Sequence, residues 1–139
     1  DGMFRIAPAQ TEEEKAAIAA LLGIPARDGA FIYAMRDAGD GHLLGGSQFD
    51  IAEGYGTIFD LRPAPGIDDF EAMFILGRAT MDFIDRTGAH LCRAPRDAGE
   101  ERLLRAVGFR PSEGGDLLCD MTGMFDGHCG GHALDLDKF

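Results

Sequence analysis

Residues 57–108 constrain this chain more than any other stretch. Thr57, Ile58 and Phe59 sit in an alternating run that predicts a strand over residues 55–61. Arg62-Pro63-Ala64-Pro65-Gly66 then has to leave the ladder, because proline has no N–H to donate. Phe70, Met73, Phe74, Gly77, Met81 and Ile84 follow the i, i+3, i+4, i+7 spacing of an amphipathic helix, predicted over residues 68–87. Leu76 and Phe83 widen its apolar face, so the helix should be well buried, and Gly88 supplies the stop. Residues 89–93 read as a short strand. Residues 98–107 read as a second helix with Leu103, Leu104 and Val107 inward and Gly108 as terminator. A strand–helix–strand crossover of this kind implies a parallel pair with a helix on one face of the sheet.

The N-terminal half prepares for that unit. Phe4-Arg5-Ile6 is a short strand ahead of Pro8. Thr11 with Glu14 three residues later has the capping-box spacing, and helix formers run from there to Leu22, where Gly23 and Pro25 end them. Residues 30–36 and 48–52 predict two more strands, with Ala38-Gly39-Asp40-Gly41 as a turn and a bulge at Gly45-Gly46. Glu53-Gly54 turns the chain back, which makes a three-stranded antiparallel meander. Residues 116–122 hold a last strand. The expected order is β-α-β-β-β-α-β-α-β. It defines an α/β (α+β) fold with a mixed, mostly antiparallel sheet and helices on both faces. One domain should span residues 1–124, and the Gly-rich, acidic residues 125–139 should form a tail.

Charge bounds the partners. With 13 Lys and Arg against 24 Asp and Glu, the net charge is −11. Phosphate-rich nucleic acid and anionic membrane surfaces are therefore not expected to bind. A small cationic molecule such as an amine remains a suitable partner. No apolar run reaches the roughly 18 residues of a membrane-crossing helix, and no signal peptide is expected. Three cysteines without a framework spacing fit reduced thiols and, by default, the cytoplasm.

Two local motifs and their spacing point further. Ile58-Phe59-Asp60-Leu61-Arg62-Pro63-Ala64-Pro65 resembles the central strand and Leu-x-Val-x-Pro exit of the GNAT superfamily of N-acetyltransferases. Leu104-Arg105-Ala106-Val107-Gly108-Phe109 resembles its Tyr-x-x-x-Gly-Phe segment, and the likeness covers residues 3–122. The resemblance implies the acyl-CoA N-acyltransferase fold and acyl transfer from acetyl-CoA to an amine. It implies Asp60 or Glu53 as general base, and a cofactor cleft lined by Leu61, Arg62, Pro63, Gly66 and Ile67. It identifies the chain as a divergent member with a degenerate pyrophosphate loop. Where the family places Arg/Gln-x-x-Gly-x-Gly/Ala, this chain has Gly66-Ile67-Asp68-Asp69-Phe70-Glu71, one glycine and three carboxylates. Pro63 stands where a backbone N–H is expected to meet the acyl group or the pantetheine arm. Neither the Asn nor the Tyr that the family often carries here occurs between Cys92 and Phe109.

The tail carries a second constellation. His128, Cys129 and His132 put three metal-type ligands within five residues, and His128-x-x-x-His132 has a zinc-ligand spacing. Cys129 is also a candidate nucleophile, although its acidic surroundings raise a thiol's pKa. Cys92 and Cys119 read as small core residues, and His90 with Cys92 would share a strand face. The alternative to an enzyme is a non-catalytic module on the same fold, binding a ligand, a metal through the tail, or a second copy of the chain as a homodimer.

Overall fold

The computed structural model describes residues 3–126. Ten elements follow one another: β1 (Phe4–Pro8), α1 (Glu12–Leu22), β2 (Phe31–Asp37), β3 (Leu43–Ala52), β4 (Tyr55–Pro63), α2 (Phe70–Arg86), β5 (Leu91–Ala94), α3 (Glu101–Val107), β6 (Arg110–Pro111) and β7 (Leu117–Asp120). The seven strands make one sheet in the order β1-β2-β3-β4-β5-β7-β6. Every pairing is antiparallel except β4 with β5, which the α2 crossover makes parallel. The mixed, mostly antiparallel sheet expected from the sequence is present, with one short extra strand, β6.

Local chemistry sets the ends of the helices. The Thr11 hydroxyl accepts the Glu14 N–H at 3.0 Å, and the Glu14 carboxylate accepts the Gln10 N–H at 2.8 Å. This is the capping box displaced by one residue at its return contact. Asp69 caps α2 by accepting the Ala72 N–H at 3.0 Å. Glu53 (φ 58°) and Gly54 (φ 87°) form the two-residue left-handed turn that joins β3 to β4.

Adjacent residues on β3 serve opposite faces of the sheet. A Cβ on Gly45 would stand 2.7 Å from the Met73 sulfur of α2, and one on Gly46 would stand 2.7 Å from Leu22 of α1. Both helices can approach the strand because neither position has a side chain. On the α1 face, Ile18, Ala19, Leu22, Ile32, Ala34 and Ala64 make a small core. The α2 and α3 face holds the main core, with Phe49, Ile58, Leu61, Leu76, Met81, Ile84, Leu104 and Phe109 wholly buried.

The bulge expected at the two glycines lies just before them. Met35 pairs with Gly45 and Arg36 with Leu43, so Leu44 is the unpaired residue. A second bulge was not foreseen. Phe49 pairs with Ile58 and Gln48 with Asp60, so Phe59 is the extra residue of β4. It resets the alternation: Ile58 and Leu61 both face α2, whereas Asp60 faces the α1 side.

Cys92 and Cys119 face each other across β5 and β7 as buried free thiols. Burial, and secondarily the neighbouring Cys119, pushes the Cys92 thiol far above its ordinary value. A raised native pKa means that the folded state keeps a proton the unfolded chain gives up. Stability is therefore full below the unfolded thiol's pKa of about 8.5 and falls as the pH rises above it. Urea midpoints at pH 8 and pH 10 should differ by more in the native protein than in Cys92→Ala. An equal difference in the two proteins would exclude Cys92 as the alkaline sensor. His90, expected on the strand beside Cys92, lies outside it and donates from Nδ1 to Asp85 at 2.6 Å.

Candidate functional site

β4 and β5 are paired only over Tyr55–Leu91, Gly56–Cys92 and Thr57–Arg93. Beyond Thr57 the two strands part, and a cavity of about 630 Å³ opens between the end of β4, the start of α2 and the start of α3. Four of the five residues expected to hold a cofactor, Leu61, Arg62, Pro63 and Ile67, line it together. Gly66 (φ 80°) makes the turn behind Ile67 but is not part of the wall. The residues that sequence reasoning missed are Met73, Asp97, Gly99, Glu100, Arg102 and Leu103. Only Gly99 carried a signal, as a glycine immediately ahead of a helix, where close backbone approach is common.

The segment Pro95–Gly99 lies along the free edge of β4. The expected helix over residues 98–107 begins only at Glu101 because the Ala98 carbonyl has another partner: it accepts the Leu61 N–H at 2.7 Å. A Cβ on Gly99 would stand 2.6 Å from the Leu61 carbonyl oxygen, so the strap is pressed against the strand. Arg62 ties it down from the side, donating from its terminal nitrogen to the Asp97 carbonyl at 2.5 Å. Successive N–H groups of a strand point to opposite edges. The Ala64 N–H goes to Leu44 on the β3 side, so the cleft edge belongs to residues 61 and 63. The first of these donors is bonded to the strap, and the second is a proline.

The floor of the cavity is apolar, built from Leu61, Met73 and Leu103 with the partly buried Ile67 and Phe70. Its rim carries Asp68, Asp69, Asp97 and Glu100 against two cations, Arg62 and Arg102. Arg102 lies 4.0 Å above the Phe70 ring, a close cation–π contact.

The two candidate bases are far apart. Asp60 is 5% exposed and sits on the α1 face of the sheet. Its Oδ2 accepts from Gln48 at 3.0 Å, and its Oδ1 is 4.0 Å from Arg62 Nε. Gln48 is itself fixed by the Arg27 N–H and the Pro25 carbonyl. Glu53 is in the β3–β4 turn, at the far end of β4, about 20 Å of strand from the cavity.

His128, Cys129 and His132 lie outside the described residues. Among the described residues, Asp37, Asp40 and His42 bring three ligand-type atoms within 4.8 Å of one another at the β2–β3 turn. Asp37 there accepts the Gly39 N–H at 2.7 Å, and Asp40 accepts the His42 N–H and Nδ1 at 3.0 and 2.6 Å. These bonds account for the turn and hold the Asp40 carboxyl below its ordinary range. No described helix is long and apolar enough to cross a membrane.

No protein-family model matches this sequence, and no curated protein does. Solved structures do. A Klebsiella pneumoniae protein assigned as an acyl-CoA N-acyltransferase is 19% identical, with a TM-score of 0.61 over 85% of this chain and 96% of that one. The ribosomal-protein-S18-alanine N-acetyltransferase of Escherichia coli is 12% identical, with a TM-score of 0.61 over 84% and 91%. An Escherichia coli protein assigned as an N-acetyltransferase and bound to coenzyme A is 17% identical, with a TM-score of 0.54 over 84% and 98%. The splayed β4–β5 pair, the crossover helix and the order of strands thus have one common description: this chain has the acyl-CoA N-acyltransferase fold.

Proposed function

We propose that this chain is a small-ligand-binding protein on the N-acyltransferase fold, one that does not hold acetyl-CoA by the grips usual to that fold. The observation that carries the reading is the Leu61 N–H donated to Ala98. A thioester arm laid along β4 would have to displace that bond, at about 0.5–1.5 kcal/mol, and would find no N–H at Pro63. Its pyrophosphate would then meet Asp68 and Asp69 at the start of α2. Each carboxylate opposes it by about 1 kcal/mol in water, and by more where shielded. Asp69 also occupies one of the helix N-terminal donors. Together these terms would weaken binding by a few factors of ten.

The test is calorimetric titration with acetyl-CoA, paired with a thiol-release assay over a panel of amines. The expected result is no saturable binding at millimolar cofactor and no thiol release above the spontaneous rate. Micromolar binding with amine-dependent release would overturn the proposal.

A second reading, acyl transfer to an amine, is favoured by the meeting of Leu61, Arg62, Pro63 and Ile67 in one cavity. On that reading Asp60 is the candidate base, and Glu53 is too distant to reach the same centre. Amine-dependent thiol release, lost in Asp60→Asn, would support it.

A further inference from the structure

We infer that Cys92 and Cys119 form a site for one soft monovalent cation, Cu(I), held between their two sulfurs. The pair is separate from the cavity beside Leu61, whose wall includes neither residue. Both are buried free thiols, and the ladder sets them directly opposite one another on β5 and β7. Opposite residues of an antiparallel pair point to the same face. Here it is the α2 face: Cys92 pairs with Gly56, where a Cβ would stand 2.6 Å from Ile84 of α2.

The spacing suits a bridging ion better than a disulfide. The Met121 N–H donates to the His90 carbonyl at 2.7 Å, just beyond the ends of β5 and β7. Bonded and non-bonded pairs alternate along an antiparallel ladder, so Cys92 and Cys119, two positions further in, are a bonded pair, the wider kind. Cβ atoms in such a pair are about 5.5 Å apart, and a disulfide needs about 3.5–4.5 Å. Two metal–sulfur bonds in line, each about 2.3 Å by the zinc–thiolate length, set the sulfurs about 4.6 Å apart. That bridge fits without drawing the strands together.

The surroundings select the ion. A Cβ on Gly108 would stand 3.1 Å from Cys119 Sγ, 3.4 Å from Met124 Cε and 3.9 Å from Met81 Cε. Two thioethers thus flank one of the thiols, each sulfur a single bond behind its methyl carbon. Thiolate and thioether donors select Cu(I), whereas Mg²⁺ and Ca²⁺ take oxygen ligands. Binding releases both thiol protons to solvent and transfers no electron. Two thiolates around one monocation carry a single negative charge, and Arg78 balances it. The Arg78 guanidinium lies 5.5 Å from the Phe74 ring centroid and 5.4 Å from that of Phe125. Its Nε is buried without a hydrogen-bond partner among the described residues. Burial raises the Cys119 thiol and Arg78 opposes that rise, so the two are within electrostatic reach. An orphaned buried donor has no account beside a neutral thiol, and gains one beside an anionic dithiolate. The way in is from the sheet edge: β6 pairs only with Leu117 and Leu118, so the outer edge of Cys119 has no strand among the described residues.

The experiment uses the full chain under argon, with Cu(I) delivered against a competing Cu(I) chelator and Ag(I) as its redox-inert probe. One ion per chain should bind and release two protons in weakly buffered solution. Ag(I) should shift the amides of Cys92, Gly108 and Cys119 and leave those of Ile67 and Phe70 in place. Cys92→Ala and Cys119→Ala should each lose the site, with a dispersed amide spectrum to show that the variant is folded. Arg78→Gln should weaken Cu(I) about tenfold, and Met81→Leu with Met124→Leu, which keeps the core volume, should weaken it by less. Where a cysteine variant fails to fold, the proton count and the amide shifts of the unaltered chain decide the matter. Retention of the ion in folded Cys92→Ala, release of fewer than two protons, or shifts confined to other parts of the chain would overturn the site. So would loss of binding when His128, Cys129 and His132 are together replaced by alanine, because the ion would then belong to the tail.

Discussion

Phe49→Ala should cost about 3–5 kcal/mol of stability, the largest loss expected from truncating one side chain here. Phe49 is wholly buried on the α2 face of β3. Its ring centroid lies 5.4 Å from Phe31, 5.3 Å from Tyr33 and 5.8 Å from Phe83, and two of those contacts are edge-to-face. Removing the ring loses its burial, the pairwise terms of about 0.5–1.5 kcal/mol each, and the atoms that fill the space. The position also pairs with Ile58, next to the β4 bulge, so neighbouring backbone is poorly placed to relax into the void. Against a total stability of about 5–15 kcal/mol, such a loss leaves a marginal fold. Urea unfolding should show the midpoint falling with little change in slope. Phe31→Ala, at a residue 44% exposed, should cost much less. Comparable losses at the two positions would show that the four rings do not pack around Phe49.

The second large effect concerns the strap. Gly99→Ala places a Cβ 2.6 Å from the Leu61 carbonyl oxygen, a backbone atom that cannot rotate away. Strap or strand must then move, at about 1–3 kcal/mol, and the Leu61 N–H loses the Ala98 carbonyl. Native-state hydrogen exchange reads this directly. The Leu61 amide should exchange on the order of a hundredfold faster in the variant, while the amides of Ile58 and Leu104 keep most of their protection. The opposite pattern, slow exchange retained at Leu61, would show that the strap does not depend on the missing Cβ. Fast exchange at Leu61 in the unaltered protein would remove the observation on which the proposed function stands.

What the sequence made legible has a physical basis. The crossover helix was readable because Phe70 to Ile84 repeat at helical spacing and Asp69 is a good cap. The meander was readable because Glu53-Gly54 suits a tight turn. Both are local properties. The bulges were not readable as placed: Ile58, Phe59 and Leu61 are all apolar, so alternation fits either phase of the strand. The start of α3 was misjudged because Ala98 and Glu100 are acceptable helix residues. What keeps Ala98 out of the helix is Leu61, 37 positions away, a contact no local pattern records. The candidate site divides in the same way. Leu61, Arg62, Pro63 and Ile67 came from a motif within one stretch of chain. Asp97, Glu100 and Arg102 join them only through the fold.

The bulge at Phe59 has a genetic consequence. It divides β4 into two lengths that answer to different constraints. Tyr55 to Thr57 are bound to strands on both sides, so changes there should register as loss of folded protein. Arg62 and Pro63, which lie outside the core, have β3 on one side and the cavity with its strap on the other, so changes there are free to alter the cavity wall while the sheet stands. A single unpaired residue thereby lets one strand hold its place in the architecture at one end and vary its chemistry at the other.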